Sequence, residues 1–292
     1  MTPVSATQIL FCHQTWQHQA QVQMCKTTPK GNQWLVTEST PFHPVSHIWP
    51  DHPADKGYVE YGPHTIPVVD CLTGAVELST NTLCVDKEIP VKRGEAGWVF
   101  VVVHQLDTEL TLDVNEHVTL HVDRQYQEAL SRGHSAGHLA SLALNKVLHA
   151  NYWRKQADRL DELKHYDFNS YAQETSFVTE DCCTDTYRLG KTLRKRGLNS
   201  ANMLEDLDQI TGLVNEQLTQ WLALGSDITI DCKGPLLTDS RYWVCDLGEE
   251  GIVEMPCGGT HSASLTEFSV ITIELVLQDE QHIKMITTSI QQ

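Results

Sequence analysis

Apolar residues alternate with polar ones in short runs over the first 120 positions. ILFCHQTW, AQVQMC, QWLVTEST, GAVELST, GWVFVVVHQL and HVTLHVD are separated by clusters of Pro, Gly and Asn, the punctuation of a strand-rich segment. From Gln125 to about Leu163 the period lengthens. Leu130, Leu139, Leu142, Leu144, Val147 and Leu148 recur at helical intervals, which predicts a long helix beginning near Ser131. Residues 164–199 read as mixed and polar, and Met203–Gly225 as a second amphipathic helix stopped by its glycine. Strands return in DITID, RYWVCDL and FSVITIELVLQ. The expected class is α+β, with a β-rich domain over 1–120 and a second domain over 121–292 in which helices pack on an antiparallel sheet. The boundary is expected between Asp113 and Gln125.

Composition narrows the function classes. The chain has 292 residues, 21 basic and 38 acidic, for a formal charge of −17. That excludes a basic nucleic-acid coat protein. With 40% hydrophobic residues it has enough apolar matter for real cores. Its nine cysteines are an odd number scattered over a long chain, and the first twenty residues lack a signal-peptide pattern, so a cytoplasmic location is expected. The most apolar run, Trp98–Val103, is too short to span a bilayer, so no membrane partner is expected.

The 15 histidines should produce about 0.8 His-x-x-x-His pairs by chance. The chain has three. His43 and His47 enclose Pro44 and read as surface or loop histidines. His117 and His121 lie in a strand pattern, where four residues span about 13 Å, too far to share an ion. His134 and His138 fall in the helical HSAGHLASLAL, where positions i and i+4 share a face about 6 Å apart along the axis. Two imidazoles so placed can converge on a metal if further donors arrive from elsewhere. Cys257 and His261 in PCGGTH can supply them, with Gly258 and Gly259 expected to take backbone angles closed to other residues. Three protein ligands would leave zinc an open position; all four would close the tetrahedron and make the ion a shaping or anchoring one. Cys12, His13, His18, Cys25 and the adjacent Cys182 and Cys183 read as ordinary strand and loop positions.

HSAGHL, followed far downstream by CGGTH, resembles the paired signature of the editing domains of alanyl-tRNA synthetases and of the freestanding AlaX proteins. CGGTH arises by chance from this composition on the order of once in several thousand sequences. ILFCHQTWQHQAQVQMC is similar to the opening strands of the longer AlaX proteins, and LVTESTPFHP to their acidic-x-Thr-x-Phe-x-Pro segment, so the likeness covers most of the chain. The family's glycine-rich loop after Pro44 is replaced by VSHIWPDHPADKG, in which Asp55 and Gly57 correspond to its Asp-x-Gly. Ile48, Trp49 and Pro50 therefore stand where the family approaches the aminoacyl end of its substrate; the seven tryptophans read first as core and pocket-wall residues, with stacking on the terminal adenine the alternative for Trp49.

The resemblance implies a barrel-like N-terminal domain and an editing-type domain after it. It implies a zinc-dependent aminoacyl-tRNA deacylase, removing seryl or glycyl from mischarged alanine tRNA in trans, with His134, His138, Cys257 and His261 as zinc ligands. Ser135 then either hydrogen-bonds the aminoacyl group or caps a helical turn. Lys191, Arg194, Lys195 and Arg196 read either as an ordinary solvated helix end or as local positive charge for the RNA backbone on an otherwise acidic protein. Two rival expectations remain: a noncatalytic zinc module that binds RNA or a protein, and a zinc hydrolase of a small ester or amide.

Overall fold

The structure, a computed structural model, describes residues 3–28 and 30–292. It is mixed α+β and rich in sheet. Contacts group the chain into two units. The first holds the residues up to Gln127 together with Cys232–Arg241 and Gly258–Thr260; the second holds Glu128–Asp231, Tyr242–Cys257 and His261–Gln292. The first unit thus runs slightly past the expected boundary and recovers two short later segments. The backbone explains the longer one: Ile9 N–H donates to Pro235 O at 2.8 Å, Leu237 N–H to Thr7 O at 3.2 Å, and Leu237 is buried.

Seven strands form the first unit's large sheet: β1 (Gln17–Thr27), β2 (Gln33–Thr37), β3 (Gly57–Tyr61), β4 (His64–Glu77), β5 (Thr82–Val85), β6 (Trp98–Leu106) and β7 (His117–Val122). Their order is β3-β7-β1-β2-β6-β4-β5, and the start of β4 also pairs with β3. Alternation is plain in β7, where Val118, Leu120 and Val122 are buried. The unbroken apolar run of β6 has a different cause. Val102 and Leu106 enter one core while Val101 and Val103 enter another, so both faces of this strand are covered.

The second unit begins within helix α1 (Arg124–Asn151). This helix starts seven residues before the expected Ser131, because the Asp123 carboxylate accepts the Tyr126 N–H at 3.1 Å and caps it. After it come α2 (Phe168–Ala172), β8 (Gln173–Thr179), β9 (Cys182–Arg188), α3 (Lys191–Arg196), α4 (Ser200–Glu205), α5 (Leu207–Leu222), β10 (Ile228–Cys232), β11 (Arg241–Asp246), β12 (Ile252–Pro256), β13 (Phe268–Asp279) and β14 (His282–Gln291). The polar stretch that pattern alone left mixed contains β8 and β9, and the expected single helix over 203–225 is broken at Asp206, between α4 and α5. An antiparallel four-stranded sheet runs β8-β9-β14-β13, and a three-stranded sheet runs β10-β11-β12.

Helices α1 and α5 bury Leu139, Leu142, Ala143, Ile210, Val214 and Leu218 in one core with Tyr187, Ile273 and Met285 of the larger sheet. Edge strand β13 is tied to α5 by a side-chain amide: Asn215 accepts from Ile273 N–H at 2.7 Å and donates to its carbonyl at 3.2 Å. At its other side α1 lies against the turn between β8 and β9. A methyl group added at Gly133 would sit 2.6 Å from the carbonyl oxygens of Thr179 and Cys182, and one at Gly137 would meet Cys183 Sγ at 2.8 Å. Ala129 O accepts from Asp181 N–H at 2.9 Å, and Arg132 pairs with Asp181 at 2.6 Å. The two glycines of the HSAGH region therefore set how closely helix and sheet approach.

Gly133→Ala should lower stability by about 1–3 kcal/mol, because the obstructing atoms are backbone and cannot yield, despite alanine's better helix propensity. Gly212→Ala in α5, with nothing within 4 Å of the added carbon, should raise it by roughly 0.5–1 kcal/mol. Urea denaturation of both variants checks the pair.

Candidate metal centre

Two facts of local structure prepare the site. One helical turn separates His134 from His138 on α1, so their rings lie side by side with centroids 4.8 Å apart. Strand β12 ends at Pro256 and delivers Cys257 next to them, and the chain returns His261 four residues later. All three imidazoles then point a nitrogen at one sulfur. Cys257 Sγ lies 3.5 Å from His134 Nε2, 3.3 Å from His138 Nε2 and 3.1 Å from His261 Nε2. The four donor atoms fall within 4.8 Å of one another, and this is the one such His/Cys/Asp/Glu group that stands out among the described residues. Donors set tetrahedrally at zinc's roughly 2.0 Å to nitrogen and 2.3 Å to sulfur are about 3.3–3.6 Å apart, so the set suits such an ion.

The surroundings favour ligand chemistry. Desolvation of its ring pushes His138 down to about 4, so it is neutral near pH 7 and keeps a lone pair to offer. The indole of Trp243, fully buried, walls the site with its centroid 5.5 Å from His138 and 6.3 Å from His261.

Ser135 is fully buried and turned toward His261. Its Oγ lies 3.1 Å from His261 Nδ1 and accepts the Ser262 N–H at 3.1 Å. With Nδ1–H donating to this oxygen, Nε2 of His261 is left unprotonated and directed at Cys257 Sγ. Gly258 and Gly259 do not use left-handed backbone, contrary to the expectation from CGGTH. Gly258 instead lies close to Arg241, which donates from Nη2 to its carbonyl at 3.4 Å and would crowd an added Cβ at 3.2 Å. Thr260 hydrogen-bonds His52, with 3.2 Å between Oγ1 and Nε2.

Asp55 and Gly57, taken from the Asp-x-Gly resemblance, both have defined tasks in the first unit. Asp55 is buried, and its Oδ2 accepts from His43 N–H at 2.7 Å and Gln127 Nε2 at 2.5 Å, closing the base of the 43–55 loop. Burial pushes its carboxyl up to about 7. Gly57 passes so near His121 that an added Cβ would lie 2.0 Å from its carbonyl oxygen. His43, expected at the surface, is buried edge-on between Phe11 and His52, with centroids 5.0 and 4.4 Å away. Trp49 and Ile48 of the same loop are exposed. The basic residues form α3, a short helix of the second unit, where Lys191, Arg194 and Lys195 are exposed and Arg196 pairs with Asp158 at 3.2 Å.

Sequence reasoning passed over Trp243, His52 and Gln127. Nothing local marks them, since each gains its role from a partner distant in the chain.

The fold and centre define a mixed α+β protein with a three-histidine, one-cysteine cluster able to hold a metal ion. Compared with known proteins, the chain is 31% identical over 140 residues to an alanine–tRNA ligase of Staphylothermus marinus, covering 48% of this chain and 12% of that protein. It is 24% identical over 217 residues to alanine–tRNA ligase 1 of Lachnoclostridium phytofermentans, covering 70% of this chain and 21% of that protein. The chain therefore has weak homology to a small part of a tRNA ligase. No protein-family model matches it. No helix among the described residues is long and apolar enough to cross a membrane.

Removing a donor should empty the centre. His138→Ala and Cys257→Ala are expected to lose stoichiometric metal in elemental analysis, while Ser135→Ala keeps it at about 10–100-fold weaker affinity. Asp55 gives a separate pH signature. Its folded-state value of about 7 exceeds the ordinary 3.8, so the folded protein holds the proton more tightly, and stability falls as pH rises from about 4 to 7. Asp55→Asn should abolish this slope, on the order of 4 kcal/mol in full, in urea midpoints measured at about pH 5 and pH 8.

Proposed function

We propose that this chain is an aminoacyl-tRNA deacylase acting in trans, hydrolysing the ester that joins a misattached seryl or glycyl group to the 3′ end of alanine tRNA, with zinc as its metal. The observation that carries the reading is the convergence of donors from HSAGH and CGGTH on one point. The homology to alanine–tRNA ligase supports the tRNA half of it. Zinc held by three of His134, His138, Cys257 and His261 would keep an open position from which to polarise the ester carbonyl, and held by all four it would anchor the aminoacyl end. The residues do the rest. His138 stays neutral and available as a donor. Ser135 holds the Nδ1 proton of His261 and so aims its other nitrogen. Trp243 closes one side of the centre against water. Lys191, Arg194, Lys195 and Arg196 offer phosphate contacts on an otherwise acidic chain.

One observation favours a second reading. Four protein donors lie within reach of a single ion, the arrangement of closed structural zinc sites. On that reading the metal fixes the fold of a module that binds RNA or a protein and hydrolyses nothing.

Incubation of zinc-loaded protein with seryl-tRNA for alanine separates the two. The deacylase reading expects ester loss well above the spontaneous rate, abolished by His134→Ala in protein that keeps its circular dichroism spectrum. The second expects tRNA or protein binding with no acceleration on seryl, glycyl or other misacylated tRNAs.

A further inference from the structure

The geometry points to a phosphodiester-binding surface larger than the basic helix, built from two segments far apart in sequence, residues 154–159 and 191–199, and fitted to the backbone of an RNA stem. Arg154, Lys155 and Arg159 belong to it, and Tyr171 positions two of its guanidinium groups. The inference rests on the RNA-substrate reading above and extends it to residues not yet given a role.

The fold brings the two segments together. Arg154 N–H donates to Gly197 O at 2.8 Å, Asn199 N–H to Tyr152 O at 2.7 Å, and Trp153 and Leu198 form an antiparallel bridge. Gly197 takes φ of +119° and passes so close to Lys155 that an added Cβ would lie 2.7 Å from its Cγ, which locks Lys155 beside the end of α3. Together the segments hold seven of the chain's 21 Lys and Arg and one of its 38 Asp and Glu, leaving 14 against 37 for the rest. Arg154, Lys155, Arg159, Lys191, Arg194 and Lys195 are exposed. Their one acid, Asp158, is taken up by Arg196.

Tyr171 distinguishes this cluster from an ordinary solvated helix end. The guanidinium carbons of Arg196 and Arg159 lie 4.6 and 5.3 Å from its ring centroid, and its hydroxyl accepts the Arg159 N–H at 2.9 Å. Guanidiniums held against an aromatic ring have already lost much of their rotamer freedom, so less entropy is lost when their planar N–H forks meet phosphate oxygens. A duplex stem touches only a strip of protein, and charges beyond about 8 Å are screened at physiological salt. A local basic strip can therefore grip RNA on a chain at −17, whereas a planar anionic membrane would confront the acidic remainder as well.

The test measures binding of uncharged alanine tRNA to the full zinc-loaded chain by fluorescence anisotropy across a salt series, a readout independent of ester hydrolysis. Arg154→Glu with Lys155→Glu should weaken binding at least about tenfold and flatten the slope of log K against log salt by roughly one to two, since each lost phosphate contact removes about 0.7–0.9. Tyr171→Leu should flatten it as well, and Tyr171→Phe, which keeps the ring, should restore it. Metal content and thermal midpoint verify that each variant is folded. Absence of tRNA binding by the parent protein, an unaltered slope in the double variant, or binding confined to phosphatidylserine vesicles would each overturn the proposal. A failed deacylation assay with these binding results intact would remove the hydrolase and leave the surface standing.

Discussion

Three imidazole nitrogens aimed at one thiol sulfur, 3.1–3.5 Å away, are the constraint around which the second unit is arranged. Rigid elements impose this convergence. Helix α1 fixes two of the rings at one-turn spacing, and its glycines let that helix press against the β8–β9 turn until backbone meets backbone. Strand β12 fixes the sulfur, and the Ser135 hydroxyl turns the third ring.

Desolvation links this geometry to chemistry. The same burial that makes ionisation of His138 costly keeps its lone pair available at neutral pH. In the first unit burial acts on a carboxyl instead. Asp55 spends its Oδ2 on His43 and Gln127 and anchors a loop whose Ile48 and Trp49 remain in solvent. Asp55 and Gly57 thus both serve the packing of the first unit, beside a loop that carries bulky residues.

On the proposed RNA-binding reading, a charge of −17 is accommodated by segregation. Basic groups from two segments gather where Tyr171 holds two guanidiniums, and acidic groups occupy the remainder. Long-range repulsion from that remainder is screened beyond about 8 Å, so local placement counts for more than the total.

Much of this was legible in the sequence because it depends on local periodicity. The i, i+4 spacing of His134 and His138, the helical leucines of α1 and the alternation in β7 each follow from chain geometry within a few residues, and the five residues of CGGTH are distinctive by themselves. Other features required the fold. The start of α1 depended on the Asp123 cap, and the mixed stretch after it became β8 and β9 only through the pairing of β9 with both β8 and β14. His43 looks like a loop histidine until Phe11 and His52 close on it, and Gly258 earns its place through Arg241, seventeen residues earlier. Periodicity records which face of an element is apolar. Which groups meet across elements is decided by packing, since a contact between distant residues leaves no trace in the spacing of either.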